Sequence, residues 1–244
     1  GVQTCALPIF YVTKGTMTWL VHEYYQSGTW KALRETTQKP RKNILKKFLN
    51  QYGKIPYSTL TQAQARKIRD KKADTPDAAN NLMKALSAVF EFAKEYGHRD
   101  DNPIRGIGKL KSKRKGGHVA WSVNQVRQFE EHHPIGTKPR LALALLLYTG
   151  QRRSDIVKLG RQHERDGWLY FRQQKTDAEM SIPIFRELRE VLDNSADIVG
   201  DLNFLVTGFG KPFTANGFGN AFRRWVREAG LDGLSAHGLR KRSE

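Results

Sequence analysis

One stretch in the middle of the chain is apolar on all sides. Residues 139–150 read PRLALALLLYTG, without the polar face that a half-buried helix shows at the 3.6-residue period. We therefore expect a helix enclosed by other elements, ending where Thr149 and Gly150 break the apolar run. The run is far shorter than the roughly 18 residues that cross a membrane, so it favours the interior of a globular domain.

The balance of charged residues indicates the class of partner. The 244 residues include 42 lysines and arginines against 24 aspartates and glutamates, a formal net charge of +18 at pH 7. Such an excess favours a polyanionic partner, with nucleic acid first and an anionic membrane a distant second. The alternative is a solvated basic surface of the ribosomal type, which would also bind nucleic acid.

Other features exclude several classes of protein. The single cysteine, Cys5, excludes an internal disulfide and a cysteine metal cluster. No apolar run is long enough to span a membrane, and no signal peptide is recognisable. We expect no membrane partner, and a location in the bacterial cytoplasm or nucleoid.

Both ends of the chain look foreign to the rest. Residues 1–9, GVQTCALPI, back-translate into a common short-read sequencing adapter, and residues 242–244, RSE, into the start of its reverse complement. The alternative is a natural, slightly unusual N-terminus. We expect both segments to be adapter translations in a gene fragment cut at each end, and we exclude them from the fold.

A helical period runs from Thr16 to about Tyr96, within a predicted domain of residues 10–104. Thr61 and Gln64 form a capping-box pattern, and Pro76 stands at a strong helix start. Gly53 and Gly97 end two of the apolar stripes. We predict four helices, folded as one small helical domain.

Residues 105–117 form a basic linker that ends in a pair of glycines. No acidic residue interrupts its basic ones. We expect a flexible segment that lies along a DNA phosphate backbone, the alternative being a solvated loop. The residues expected to contact DNA are Arg105, Lys109, Lys111, Lys113, Arg114 and Lys115.

A second domain is predicted over residues 118–241. Ser122 and Gln125 make a capping-box pattern near its start. The segments WLYFRQ and EMSIPI alternate in polarity and are joined by QKTDA, which predicts a β-hairpin. The fold class expected for the whole chain is mainly α (α+β), a helical domain followed by a mixed α/β domain with a small hairpin sheet.

Two charged residues follow the buried helix. Arg152 opens a short helix after the break at Gly150, and Asp155 lies three residues further on. At that spacing the two share a helix face, so Asp155 can hold Arg152 by a charge-assisted hydrogen bond. The alternative is an ordinary surface ion pair, which contributes little to stability.

Three further basic residues complete the candidate site. Lys175 lies in the hairpin turn, where a solvated lysine is the alternative. His237 and Arg240 stand three apart at a helix start, where free N–H groups and the helix dipole already favour anions. The pair is therefore suited to hold a phosphate.

Taken together and in order, these motifs resemble the tyrosine recombinase (phage integrase) family. TGQRRSDIVKL matches the family's T-G-x-R with an acid three residues later, QQKTDAEMSIPI its hairpin lysine, and SAHGLRK its H-x-x-R. The resemblance covers about residues 16–241. It implies a helical, SAM-like core-binding DNA-binding domain over 10–104 and a catalytic domain over 118–241, truncated before its last helices.

The resemblance also implies the reaction. A tyrosine attacks a DNA phosphodiester and forms a 3′-phosphotyrosine link, a 5′-hydroxyl leaves, and a second strand reverses the step. Arg152 and Arg240 would stabilise charge on the phosphate oxygens. Lys175 would protonate the leaving oxygen, His237 would assist proton transfer at the nucleophile, and Asp155 would orient Arg152 from behind the site.

The family further implies the protein's partners and setting. Site-specific recombination or DNA integration of this kind serves phages and other mobile genetic elements. The partners would be double-stranded DNA and further copies of the protein, four of them in the full-length recombinase. No metal, nucleotide or other cofactor is implied, because the covalent intermediate conserves the bond energy.

The chain departs from the family pattern after Arg240. The family places a further histidine or tryptophan and then the nucleophilic tyrosine downstream, and neither follows here. We expect Tyr148 and Tyr170 to be packing residues and the chain as given to be inactive in DNA cleavage. The eight tyrosines are Tyr11, Tyr24, Tyr25, Tyr52, Tyr57, Tyr96, Tyr148 and Tyr170.

Three other functions stay open. A non-catalytic DNA-binding relative would need no lysine on a hairpin, and a type IB topoisomerase would use similar chemistry on one duplex. A metal-dependent nuclease or transposase would rest on the pairs Asp100–Asp101 and His132–His133, which lack the spacing of metal ligands.

Overall fold

The structure is a computed structural model that describes residues 13–112 and 117–243. The chain divides into two compact units, residues 1–115 and 116–244. The adapter-like residues 1–9 and Glu244 lie outside the described residues, as do Lys113, Arg114 and Lys115 of the predicted linker. In the described ranges, no helix combines the length and apolar composition required to cross a bilayer.

Unit 1 is a bundle of helices around one apolar core. Its core is centred on Leu20, Tyr24, Leu86 and Phe90, which are all fully buried. The helices are α1 (Met17–Gln26), α2 (Gly28–Lys31), α3 (Glu35–Tyr52), α4 (Gln62–Asp70) and α5 (Pro76–Glu95).

Two of the local helix signals are confirmed in detail. Thr61 caps α4 as one half of a capping box, and the Gln64 side chain bonds back to the Thr61 backbone N–H at 2.8 Å. Pro76 occupies the first turn of α5. The prediction of four helices omits the one-turn α2, which forms because the Ser27 side chain caps it and Trp30 is buried.

The first part of the predicted linker is fastened to unit 1. Gln62 and Arg69 of α4 donate side-chain hydrogen bonds to the backbone oxygens of Arg105 and Gly108, at 2.7 and 2.5 Å. The Asn80 side chain pairs with both backbone groups of Leu110, each at 2.9 Å. The backbone of residues 105–110 is therefore bonded to unit 1 at three points, and the flexibility of the linker stays a prediction.

Unit 2 surrounds the apolar helix. Six helices and a small sheet make up its described part, and Ser122 with Gln125 forms the expected capping box. The helices are α6 (Val123–His132), α7 (Lys138–Thr149), α8 (Arg153–Ile156), α9 (Arg186–Asp193), α10 (Ala215–Glu228) and α11 (Ala236–Ser243). The strands are β1 (Glu164–Arg165), β2 (Trp168–Arg172) and β3 (Glu179–Pro183).

Helix α7 is the centre of this unit, as its composition predicts. Residues 141–146 are all buried, and α8, α9, α10 and α11 pack against the helix. Gly150 ends it in the left-handed conformation, with φ of +61°. That conformation suits glycine and turns the chain sharply into the segment that carries Arg152.

The predicted hairpin is confirmed as β2 and β3, which pair in antiparallel register with Leu169 opposite Ile182. The sheet has a third strand in the order β1-β2-β3, with a tight turn at Asp166 and Gly167, both at positive φ. Strand β1 has only two residues, which is too short to show an alternation of polarity. The only local indication of it in the sequence is the Asp-Gly pair, which is typical of a hairpin turn.

Candidate active site

Three of the four predicted basic residues lie in one cavity. Arg152, His237 and Arg240 line a cavity of about 480 Å³ at the surface of unit 2. No aspartate or glutamate is among the described residues that line it. The others are His118, Gln151, Arg153, Ser154, Ala215, Gly219, Phe222, Arg223, Leu234, Ser235 and Ala236. Basic groups without acidic neighbours make this a site for an anion.

Helix α11 presents His237 and Arg240 because its opposite side is held in the core. Leu239 is fully buried, and Trp121 Nε1 donates a hydrogen bond to the Ser235 carbonyl at 3.0 Å. Gly238 lets the helix approach closely, since a Cβ there would lie 2.1 Å from the Val119 carbonyl oxygen. With that side fixed, the two basic side chains face the cavity.

Arg152 is held by a glutamine of the hairpin. Its Nη1 donates to Gln173 Oε1 at 3.2 Å, and Gln173 Nε2 donates to Gln151 Oε1 at 2.7 Å. The Gln151 side chain in turn donates to the carbonyl of Thr149, the last residue of α7, at 2.9 Å. A chain of hydrogen bonds thus runs from the end of α7 through the hairpin to the guanidinium.

The predicted bond between Asp155 and Arg152 is wrong. Asp155 is buried, and its Oδ1 accepts from the backbone N–H of Gln174 in the hairpin turn at 2.9 Å. Its Oδ2 has no hydrogen-bond partner in the described part of the chain. Because α8 begins at Arg153, the carboxylate points into the protein, whereas Arg152 leaves from the extended residue before the helix.

Lys175 does not line the cavity. It lies exposed in the turn between β2 and β3, where the Gln173 N–H bonds the Ala178 carbonyl at 2.8 Å. The two preceding residues, Gln173 and Gln174, are the ones bonded to Arg152 and Asp155. The lysine is therefore carried by a turn that is fastened to the segment of Arg152.

His237 has a shifted pKa. Burial lowers the pKa of its imidazole, and the nearby charges of His118, Arg240, Lys241 and Arg152 lower it further. The rings of His118 and His237 meet edge to face with centroids 4.6 Å apart, and His118 Nδ1 lies 2.9 Å from Ser235 Oγ. A pKa below the ordinary value of about 6.5 keeps His237 neutral at pH 7, able to accept a proton.

None of the described tyrosines lines the cavity. Tyr148 packs against the core of unit 2, as expected for a packing residue. Tyr170 is 39% exposed on the outer face of β2, and its ring packs against the Arg165 guanidinium, which lies 5.1 Å from the ring centroid. Tyr11 lies outside the described residues.

The described linker residues Arg105, Lys109 and Lys111 belong to unit 1 and are not among the residues that line this cavity. The described ranges also contain no group of three or more side chains placed to hold a metal ion. The pairs weighed for a metal-dependent enzyme have other partners: Asp101 bonds Arg99, and His133 Nε2 bonds the Trp225 carbonyl at 3.0 Å.

Sequence reasoning missed five of the residues at or beside the site. Polar residues in turns and on exposed helix faces carry no periodic signal, so only the fold brings them together. They are His118, Gln151, Arg153, Gln173 and Arg223. Gln151 and Gln173 each stand within two residues of a predicted basic residue, which was the available signal.

Known proteins are similar to the chain in sequence. A sequence model described as "Phage integrase family" matches residues 121–243. The integrases of Enterobacteria phage 434 and Escherichia phage lambda are 28% and 27% identical to the chain over 169 residues. Each match covers 66% of this chain and 46% of the relative, so the matched region is about half of each phage protein.

Solved structures share the fold. A lambda integrase dimer bound to a COC′ core site has a TM-score of 0.81 at 22% identity, covering 93% of this chain and 88% of that one. The Tn1549 transposon integrase in complex with circular intermediate DNA has a TM-score of 0.75 at 17% identity, covering 93% and 85%.

The family match spans half of the chain and includes every residue of the candidate site except His118. The fold agrees with it, since the chain matches a lambda integrase structure with a TM-score of 0.81 over 93% of its length. The chain belongs to the phage integrase family.

Proposed function

We propose that the chain is the DNA-recombining part of a tyrosine-type site-specific recombinase, which cuts and rejoins DNA through a 3′-phosphotyrosine intermediate. The observation that carries this proposal is the cavity itself. It brings Arg152, His237 and Arg240 together without a carboxylate, beside a hairpin turn that carries a lysine. The anion with which such a site reacts is a DNA phosphodiester.

The two arginines act on the charge that develops during the reaction. As the phosphodiester becomes five-coordinate, negative charge accumulates on its non-bridging oxygens. The guanidinium groups of Arg152 and Arg240 donate to those oxygens, keep their charge at every working pH and present paired donors in one plane. Gln173 holds Arg152 in place before DNA arrives, which reduces reorganisation during the reaction.

Lys175 and His237 handle the protons. Lys175 protonates the leaving 5′-oxygen, and the bonds from Gln173 and Gln174 keep its turn beside the arginine segment. His237, neutral at pH 7, accepts a proton at the attacking hydroxyl and contacts a phosphate oxygen. Asp155 acts as a positioning residue for the hairpin turn, through its bond to the Gln174 N–H.

The partners follow from the same reaction. Unit 1, with the basic segment at its end, holds duplex DNA, and further copies of the protein assemble on the recombining sites, four in the full-length recombinase. The reaction conserves its bond energy in the covalent link and needs no nucleotide. We place the protein in the bacterial cytoplasm or nucleoid, as part of a phage or another mobile element.

The test is capture of a covalent link to DNA. The chain, followed by a tyrosine-bearing segment of a phage integrase relative, is incubated with a library of nicked duplexes of random sequence and run on a denaturing gel. We expect an adduct that is lost on Arg152→Ala or Arg240→Ala, and recovered DNA that shares a common sequence. Adduct formation that survives both changes would place the chemistry elsewhere.

A matched reaction uses the chain as given. We expect it to bind the same library without forming an adduct, because none of its described tyrosines lines the cavity. An adduct that disappears on Tyr148→Phe or Tyr170→Phe would overturn this part of the proposal.

A further inference from the structure

Two arginines that the proposed reaction does not use line the same cavity. Arg153 is the first residue of α8, and Arg223 lies in the third turn of α10. Both side chains are exposed, and neither forms an ion pair with any carboxylate in the described ranges. They add two permanent positive charges to a site that already contains Arg152 and Arg240.

The structure fixes the direction of Arg153. Its guanidinium lies across α10 at Gly219, where a Cβ would stand 2.5 Å from Arg153 Nη1. Arg153 Nη2 also lies 3.5 Å from Asn216 Oδ1, one turn earlier on the same helix. The missing side chain at Gly219 thus leaves the space in which this guanidinium rests.

Arg223 stands one turn after Gly219, on the same face of α10. Its Nη1 donates to Asn220 Oδ1 at 3.3 Å, so the remaining guanidinium donors are available to a ligand. Ala215, in the first turn of this 14-residue helix, also lines the cavity. The positive end of the helix dipole therefore adds to the charge of the two arginines.

We propose that Arg153 and Arg223 form a second phosphate subsite, which takes the DNA phosphate next to the one being cleaved. The inference rests on the proposed function, since it assumes that Arg152, His237 and Arg240 hold the first phosphate. Arg152 and Arg153 are consecutive residues, and both line the same cavity. Arg152 and Arg153 can therefore serve neighbouring phosphates.

The size of the cavity agrees with two phosphates. About 480 Å³ lies within the range of roughly 300–1,000 Å³ typical of sites for whole small molecules, and exceeds what one phosphate group fills. Arginine suits this task because its planar donors match phosphate oxygens in pairs. The subsite would set the register of the strand by holding the phosphate beside the reacting one.

The experiment compares ligands with one and two phosphates. The chain is titrated with thymidine dinucleotide, TpT, and with trinucleotide, TpTpT, while NMR follows the imidazole signals of His237 and His118. We expect TpT to move the His237 signal and TpTpT to bind roughly tenfold tighter, the size of one good charge-assisted contact. TpTpT adds a thymidine as well as a phosphate, and the variants below separate the contribution of the phosphate.

The variants test which residues provide the gain. Arg153→Gln combined with Arg223→Gln should remove the advantage of TpTpT and leave TpT binding within about twofold. The matched control, Arg127→Gln combined with Arg227→Gln, removes the same charge from exposed positions that do not line the cavity, and should keep the advantage. Equal losses in both pairs would mean a general charge effect and would overturn the proposal.

A variant of unchanged charge separates position from charge. Gly219→Ala puts a methyl group where the Arg153 guanidinium rests, while alanine suits a helix interior better than glycine. We expect a fold that melts no lower than the original chain, together with a reduced gain for TpTpT. An undiminished gain would show that Arg153 does not act from its observed position.

The possible outcomes distinguish the two proposals. If TpT moves the His237 signal and TpTpT binds no tighter, the second subsite is wrong and the proposed active site stands. If neither ligand moves that signal, the phosphate site of the proposed function fails, and the second subsite with it.

Discussion

At the scale of single residues, the role of Lys175 as general acid can be tested by replacing one atom of the substrate. In the adduct assay, Lys175→Ala should reduce the rate of cleavage of normal DNA by roughly a hundredfold or more, because a general acid contributes about that much to the rate. Replacing the bridging 5′-oxygen with sulfur should restore its rate, since a thiolate leaves without a proton. Arg152→Ala should gain nothing from sulfur, because it lacks charge stabilisation.

The opposite pattern would identify a different acid. If sulfur rescues Arg152→Ala and leaves Lys175→Ala slow, then Lys175 is only a turn lysine. The exposed position of Lys175 outside the cavity makes this a real alternative outcome.

His237 gives a second prediction, on pH. Burial lowers the pKa of His237, and the neighbouring His118 and Arg240 lower it further, so His118→Gln should raise this pKa towards the ordinary value of about 6.5. A bound phosphate should raise it as well, since an anion favours the protonated ring. NMR titration of the imidazole signal measures both changes. No response to His118→Gln would mean that His118 does not contribute to the shift of this pKa.

At the scale of elements, α7 provides the third prediction. Leu145 is fully buried, and truncating such a leucine costs about 2–5 kcal/mol of stability. Leu145→Ala should therefore lower the free energy of unfolding by about that amount in urea denaturation. Leu147→Ala, in the same helix at a partly buried position, is the matched control and should cost clearly less. Equal losses of stability would contradict the deeper burial of residues 141–146 relative to Leu147.

The sequence revealed those elements whose signals are local. Each of these signals is contained in a short stretch of sequence. They are the capping boxes at Thr61 and Ser122, the apolar run of α7 and the alternating hairpin strands. It could not reveal β1, which is held by pairing with β2 across the Asp166–Gly167 turn. Pairing partners and helix approaches are set by tertiary contacts.

The same division holds in the candidate site. Arg152, His237 and Arg240 belong to short motifs, and they line one cavity. The hydrogen bond between Arg152 and Gln173 joins residues 21 positions apart. The hydrogen bond between Asp155 and Gln174 joins residues 19 positions apart. The spacing of three residues suggested Asp155 as the partner of Arg152. Sequence alone does not show that Arg152 precedes the short helix and that the Asp155 carboxylate points into the protein.

At the scale of the whole molecule, the basic linker gives the fourth prediction. If the linker touches about four phosphates, it contributes about 3.6 to the slope of log affinity against log salt, at roughly 0.9 per contact. Changing all six of its predicted DNA-binding residues to glutamine should flatten the slope by that amount. Binding to a mixed-sequence duplex across a salt series measures it. An unchanged slope would make the linker a solvated spacer.

Two triple variants divide that contribution. The first changes Arg105, Lys109 and Lys111, whose segment is bonded to α4 and α5 through its backbone. The second changes Lys113, Arg114 and Lys115. We expect both to reduce the slope, and the first to do so without loss of thermal stability, because the observed bonds use backbone oxygens rather than these side chains.

The contacts of residues 119–121 with residues 235–238 in unit 2 have a consequence for the order of folding. Trp121 meets Ser235, and Val119 meets Gly238, across more than a hundred residues of chain. Contacts so distant in sequence carry a large loop-closure cost and form late. We therefore expect the anion cavity to be complete only after α11 docks, when the hairpin and α7 are already in place. A newly made chain would present its earlier basic surfaces before this cavity is complete.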